Sequence, residues 1–490
     1  MAEESVTIHD KYQFEIKVWY KLEDGPKRPW YKLETYFFLP QSLGVNRNTY
    51  SKHEFYNDMQ SYIRFKTPSL PLRNIVNGPE NPWDRLKNSI EQLSAVQNKQ
   101  TITAYKRQIK MFCSILKSAL RDHVQAATSR PNLRDARQLL DDFLANVPII
   151  TSKYRELRPL INLPGIEHDA FSVYLFGDEY VSLLVNTHIY NLLEYFSHQP
   201  LLQWEAYRSR LLAVVRSEVH YRQENNYPSV PGEPSANEEM ISRRSALKKY
   251  MGSVLFLDTR VQRDGIILEQ IAVGVAAGLA MVFATTVAFI SQHRYGPLTL
   301  PFFMALVVSY MFKDRIKELL RNYMMRKMHS RLQDHRMNIL SGPGQKIGMC
   351  SESMDFIADS KTPPDIGKLR SRKAFSEIEN DWAGERIILY RKQVRIFPTR
   401  ARRFYHPYPV QGINDIMRFN VSKFLHRMDD PIQPLYVLAG EGYNKIQTER
   451  TYHFMMIIKY TTGSNDRYHR FRVSLNRNGI KTIDEIPTGN

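Results

Sequence analysis

From Ile271 to Ile290 the chain reads IAVGVAAGLAMVFATTVAFI, twenty residues without a charge. Wound as a helix, this run covers about 30 Å, the thickness of a bilayer's hydrocarbon layer. Buried helices of water-soluble cores seldom hold more than about 14 consecutive apolar residues. A second uncharged run, Tyr295 to Phe312 (YGPLTLPFFMALVVSYMF), follows after only SQHR. Gly296-Pro297 supplies turn chemistry between the two, and Pro301 falls where the first turn of a helix tolerates it. Together the runs predict a transmembrane helical hairpin over 266–312.

Flanking charge orients that hairpin. Lys248, Lys249, Arg260 and Arg263 precede it, and Lys313, Arg315, Lys317, Arg321, Arg326, Lys327 and Arg331 follow, against Arg294 alone in the loop. Cationic loops stay on the cytoplasmic side, so a two-pass protein of the inner or plasma membrane is expected, with both termini cytoplasmic. The opening MAEES has neither a basic n-region nor an apolar h-region, so the first span is expected to act as its own targeting signal. Within the runs, Ala272, Ala276, Ala280, Ala284 and Ala288 recur every fourth residue, with Gly274 and Gly278 forming a GxxxG beside them and Ala305 and Ser309 in the second run. Small residues at this spacing let helix backbones approach closely, within one hairpin or between copies in a homo-oligomer. No ionisable residue lies deep in either run, which removes the side chains a proton relay or ion path would use.

At roughly 100–200 residues per domain, 490 residues suggest two to four units. Two strand-like runs, 12–22 and 30–40, predict an N-terminal β-hairpin within 1–40. A helical cytoplasmic domain is expected over 41–221. It carries capping-box spacing at Ser51–Glu54, a start signal at Asn81-Pro82, and apolar series continuing through Cys113, which reads as core. Further helices are expected near Leu133–Ala145, Asp178–Phe196 and Leu201–Tyr221. A proline-rich linker (222–237), a juxtamembrane helix (238–265), a basic amphipathic helix (313–340) and a flexible connector (341–375) follow from composition. The last segment, 376–490, turns to strand patterns and closes in an antiparallel meander, to which the N-terminal strands are free to add. The expected fold class is thus an α+β membrane protein: a mainly helical N-terminal cytoplasmic domain with a β-hairpin, a two-helix transmembrane hairpin and a β-rich C-terminal cytoplasmic domain.

Catalytic signatures are missing. The chain has no GxxxxGK[ST], HExxH, GxSxG, CxxC, kinase or EF-hand pattern, and its two cysteines, Cys113 and Cys350, are too few for a four-thiolate zinc site. No metal or cofactor is called for. Glu167-His168-Asp169 is the densest titratable cluster, and it reads as a solvated turn before a helix. One surface feature stands out. Between Tyr390 and Pro409, Arg391, Lys392, Arg395, Arg400, Arg402 and Arg403 interleave with Phe397, Phe404, Tyr405 and Tyr408, a composition suited to anion binding. Anionic headgroups of the bilayer are the simplest partner for such a patch, with nucleic acid or a cytoplasmic protein as other anionic faces. The expected function is a membrane-tethered scaffold or sensor component acting by binding. The alternatives are a cytoplasmic-face enzyme whose residues, Glu167, His168 and Asp169 among them, converge only in the fold, and a tethered nucleic-acid binder.

Overall fold

The computed structural model describes residues 4–22, 30–78, 81–129, 133–198, 204–230, 232, 234–262, 266–329, 333–342, 344–370, 384–409, 411–463 and 465–488. They divide into two compact units. One comprises 1–63, 258–404 and 414–490, and the other 64–257 with 405–413.

The first unit is built on strands: β1 (Glu4–Ile8), β2 (Gln13–Lys21), β3 (Trp30–Pro40), β4 (Met59–Phe65), β5 (Phe256–Gln262), β6 (His335–Leu340), β7 (Lys346–Ile357), β8 (Glu385–Ile396), β9 (Gly412–Asn420), β12 (Tyr452–Thr462), β13 (Asn465–Asn476) and β14 (Gly479–Ile486). They form one antiparallel sheet in the order β1-β2-β9-β4-β5-β6-β7-β8-β3-β12-β13-β14. Its two edges approach each other. Ile480 N donates to Lys11 O at 2.8 Å, and His469 on β13 lies 3.1 Å from Glu4 on β1, so the sheet is nearly closed and barrel-like. A separate ribbon of β10 (Ile432–Ala439) and β11 (Gly442–Glu449) turns at Gly440, whose φ of +60° suits glycine, and is exposed along its length.

Alternation explains the interior. On β2, Phe14, Ile16, Val18 and Tyr20 point inwards and are buried, while their neighbours are only partly so. Phe37 and Phe14 meet Phe419 with ring centroids 5.4 and 5.5 Å apart, and Phe55 of α1 (Lys52–Asp58) meets Tyr390 at 5.4 Å. The outward row of β3 is covered too. Tyr36 and Phe38 pack with Ile387, Leu389, Ile457 and Ile366 of α11 (Pro364–Leu369), which is why β3 reads as a nearly continuous apolar run.

The second unit is helical: α2 (Pro82–Ala95), α3 (Lys99–Thr128), α4 (Leu133–Arg155), α5 (Arg158–Ile161), α6 (His168–Ser197), α7 (Trp204–Glu224) and α8 (Pro234–Gly252). Tyr154 stacks on Tyr174 at 5.1 Å. Asp178, buried in the middle of α6, accepts from Tyr221 and Tyr227 hydroxyls at 2.6 and 2.8 Å, so the tyrosine of the expected linker is an anchor. The remaining helices are α9 (Ile266–Tyr295), α10 (Leu300–His329), α12 (Pro398–Tyr405) and α13 (Ser422–Leu425).

The expected fold class is corrected by this architecture. The two N-terminal strand runs exist but are not hairpin partners: β2 pairs with β1, and β3 lies between β8 and β12. Their connection, 23–29, lies outside the described residues. The C-terminal strands are no separate small domain. The meander β12–β14 is present, but it is one end of a sheet that draws strands from the whole chain. Residues expected as basic helix and connector supply β6 and β7, and the end of the expected juxtamembrane helix supplies β5. The expected transmembrane hairpin is also overturned. Among the described residues, one helix is long and apolar enough to cross a membrane, Gln270–Tyr295. The second run loses Gly296 to Thr299 to the turn, which leaves thirteen uncharged residues, Leu300 to Phe312, at the head of α10.

The seam between the sheet's edges has a titratable clasp. His469 Nε2 and Nδ1 lie 3.1 and 2.9 Å from Glu4 and Glu485. Its hydrogen bond to Glu4, then the one to Glu485, outweigh partial burial and raise its pKa from 6.5 to about 9. A raised pKa means the clasp contributes fully below about pH 6.5 and is lost as pH rises through about 9. Thermal unfolding of the full chain should therefore weaken across that window, and His469→Gln should flatten the slope, with faster amide exchange in β1 at pH 7.

Candidate membrane-contact surface

α9 ends where Gly296 adopts φ +78° and its N–H returns to Gln292 O at 3.0 Å. After four residues α10 runs back along it. Ser309 Oγ donates to Ala284 O at 3.3 Å, which fixes the antiparallel register. Counting back from that bond, Lys313 lies level with Ala280, Lys317 with Ala276 and Arg321 with Ala272. The charged half of α10 therefore flanks the first half of the apolar helix. The slab that both helices keep free of charge extends from Met281 to His293, thirteen residues of α9 or about 20 Å, and Arg294 returns charge at the turn. That is shorter than a bilayer's hydrocarbon of about 30 Å.

This slab is unpartnered on its outer sides. Only 11% of the apolar stretch of α9 is buried among the described residues. Val282, Phe289, Ile290, Phe303 and Tyr310 are exposed, and Leu298 at the turn is completely so. The alanine row divides from the glycine pair. Ala272, Ala276 and Ala280 are buried against α10, as is Ser309, while Ala284, Ala288 and Ala305 are half-buried. Gly274 and Gly278 face away, and a Cβ on either would meet nothing within 4 Å. Ala276→Leu should thus force the helices apart and lower thermal stability, whereas Gly274→Leu and Gly278→Leu should leave the isolated hairpin's stability within about 1 kcal/mol of its starting value.

The C-terminal basic segment does not form one patch. Period-two alternation on β8 sends Lys392 inwards and Arg391 and Arg395 outwards. Arg391 lies 3.9 and 3.6 Å from Glu34 and Asp355, and Arg395 packs over Trp30. Arg400, Arg402 and Arg403 lie on a different element, the two-turn α12. There Arg400 donates to Lys346 O and Arg402 to Leu22 O, both at 3.3 Å, and Arg403 is exposed.

Lys392 is instead the centre of a polar cluster inside the sheet. Its Nζ lies 2.8 Å from Asp415 Oδ1 on β9, 3.1 Å from Glu352 Oε1 on β7 and 2.6 Å from Ser61 Oγ on β4. Tyr20 adds a 3.4 Å hydrogen bond to Asp415. Lys392 and Asp415 have no exposed surface, so no substrate reaches them. Burial alone would depress the ammonium's pKa. Asp415, then Glu352, outweigh it and hold Lys392 protonated above the ordinary lysine value, while burial pushes Asp415 up. The alternation Tyr390, Lys392, Val394, Ile396 carries the signal that this lysine belongs to the interior row. Lys392→Met would leave two carboxylates buried without a cation and should cost about 3–5 kcal/mol, read as a lowered unfolding midpoint of the full chain.

Other titratable candidates are dispersed. Glu167, His168 and Asp169 are exposed at the start of α6, with Glu167 at its N-cap position. Cys113 and Cys350 are buried free thiols whose pKa values burial pushes up. Among the described residues, no three His, Cys, Asp or Glu side chains gather as metal ligands. Comparison with protein-family models, with characterised proteins and with solved structures finds no match for this chain.

Proposed function

We propose that this protein acts by binding at a membrane surface, as a scaffold or sensor component, with the α9–α10 hairpin dipping loop-first into a bilayer and the sheet held outside it. One observation carries the reading: the hairpin is apolar on surfaces that none of the described residues covers. Exposed apolar area of this extent is unfavourable in water at about 25 cal/mol per Å². A charge-free slab of about 20 Å, bounded by Arg294 at the turn, supports shallow entry from one face in place of a two-pass crossing. Topology supports it as well, since β5 and β6 bracket the hairpin and are paired neighbours, with Gln262 opposite Arg336. The chain thus leaves and re-enters the sheet a few ångströms apart. Lys313, Arg315, Lys317 and Arg321 then lie at headgroup depth, each favoured by anionic lipid by about 1 kcal/mol. The titratable clusters in the interior are sealed, which favours binding over catalysis.

Two measurements test this. Wild-type protein should float with liposomes and resist alkaline extraction, and Val282→Glu with Phe289→Glu should release it. Wild-type protein staying monodisperse in detergent-free buffer would sink the proposal. Because both native thiols are buried, Leu298→Cys can be labelled selectively. Protection of that thiol from impermeant maleimide on both sides of sealed vesicles fits loop-first insertion, and labelling from the far side contradicts it.

A further inference from the structure

Within the helical unit, α3 and α8 run antiparallel in a register set by Ser114 Oγ, which donates to Met251 O at 3.1 Å. One turn along, that register sets Lys117 beside Lys248, and one turn further, Arg121 beside Arg244. Two rungs of like charge therefore face each other across a helix interface, where complementary charges would be the stabilising choice. α6 closes the third side. Arg244 Nη2 donates to Thr187 Oγ1 at 2.7 Å, which brings His188 to the same level. Arg64 completes the group, with Nη2 bonded to Thr67 Oγ1 at 3.3 Å.

The anionic side of this cluster is thin. Asp122 is its carboxylate, and it is already engaged by Arg121 Nε at 2.9 Å and by Ser118 and Ser69 hydroxyls, both at 3.4 Å. Lys117 is partly buried, yet among the described residues it has neither an ion-pair nor a hydrogen-bond partner. His188 is more than nine-tenths buried, and its Nδ1 has no partner either. Both groups feel the crowding. Burial, then Lys248, Arg64 and Arg121, lower Lys117 to about 8, and burial, then Lys117, Arg121 and Arg244, lower His188 to about 4. A folded chain seldom buries an unpaired ammonium among cations unless an anion completes the site.

We propose that Lys117, Lys248, Arg121, Arg244 and Arg64 form a binding site for a phosphate group, with His188 as its buried floor. Two cationic rungs one turn apart surround a tetrahedral dianion from several sides, and arginine forks and lysine ammonium groups are the side chains that recognise it. The group could be free phosphate or the phosphomonoester of a lipid headgroup, and both present the same oxygens.

The test uses the full chain in detergent, titrated with inorganic phosphate against chloride at matched ionic strength and followed by thermal unfolding. It is then repeated with phosphatidic acid vesicles against phosphatidylcholine vesicles. A bound anion raises the melting temperature in proportion to the logarithm of its concentration above Kd. Lys117→Met and Lys248→Ala should each weaken the response at least tenfold while melting no lower than wild type without ligand, because each removes a like-charge contact. Response to phosphate in solution assigns a soluble ligand, and response to phosphatidic acid alone assigns the headgroup. If wild type responds to neither, or both variants respond as wild type does, the site does not exist.

Discussion

An ammonium with no exposed surface bridges walls of the sheet that are far apart in the chain. Lys392 on β8 meets Asp415 on β9 and Ser61 on β4, and Glu352 opposes it directly on β7. Withdrawing three charged groups from water is costly, and their mutual attraction offsets that cost only when the geometry is held tightly. The cluster therefore demands one register. A single-residue slip of β8 would turn Lys392 outwards and bring Arg391 and Gln393 to the aromatic interior. The partners lie 331 residues away in sequence at Ser61, and Tyr20 and Asp415 are 395 apart, so near-closure of the sheet must assemble both ends of the chain. Such non-local pairing is slow to form and, once formed, specific.

The same sheet dictates where everything else attaches. In its order β4, β5 and β6 are consecutive neighbours. The chain leaves after β4, builds the helical unit, and returns as β5. It then leaves again for α9 and α10 and returns as β6. Each excursion begins and ends at adjacent strands about 5 Å apart, so either can be long without disturbing the ladder. Loop-closure cost grows only slowly with length, which makes neighbouring strand ends inexpensive places for large insertions.

Local signals were legible where a short stretch decides the outcome alone. Ser51 and Glu54 form the capping box that their spacing announces, Asn81 caps α2 ahead of Pro82, and β2 alternates as its sequence does. What escaped depends on distant partners. β7 is hidden in KIGMCSESMDFI, where the preceding Gly-Pro-Gly and the interspersed glycine and serines read as a connector until β6 and β8 flank it. Adjacency in sequence predicts pairing of β2 with β3, but β2 pairs with β1, and β3 with β8 and β12. The basic segment from Tyr390 misled for a related reason. Cations at 391, 392 and 395 look uniform along the chain, and only the strand's alternation separates the buried one from its neighbours. The second apolar run is too short as a span because the turn announced by Gly296-Pro297 extends to Thr299 and takes its first residues.

Two lysines show how burial decides the meaning of charge in this chain. Lys392 is wholly enclosed and has two carboxylates within 3.1 Å, so its charge is satisfied internally and its chemistry is closed to the outside. Lys117 is only partly enclosed and faces more cations, so none of the described residues satisfies its charge. The formal charge of +18 does not distinguish them, because it counts both alike. The distinction comes from register. Pairing Glu352 against Lys392 sets opposite charges together, and Ser114 against Met251 sets like charges together. A fold that arranges opposite charges with such exactness in its sheet has the means to do so between helices. The like-charge ladder on α3 and α8 is therefore better understood as a site awaiting an anion than as a surface without consequence.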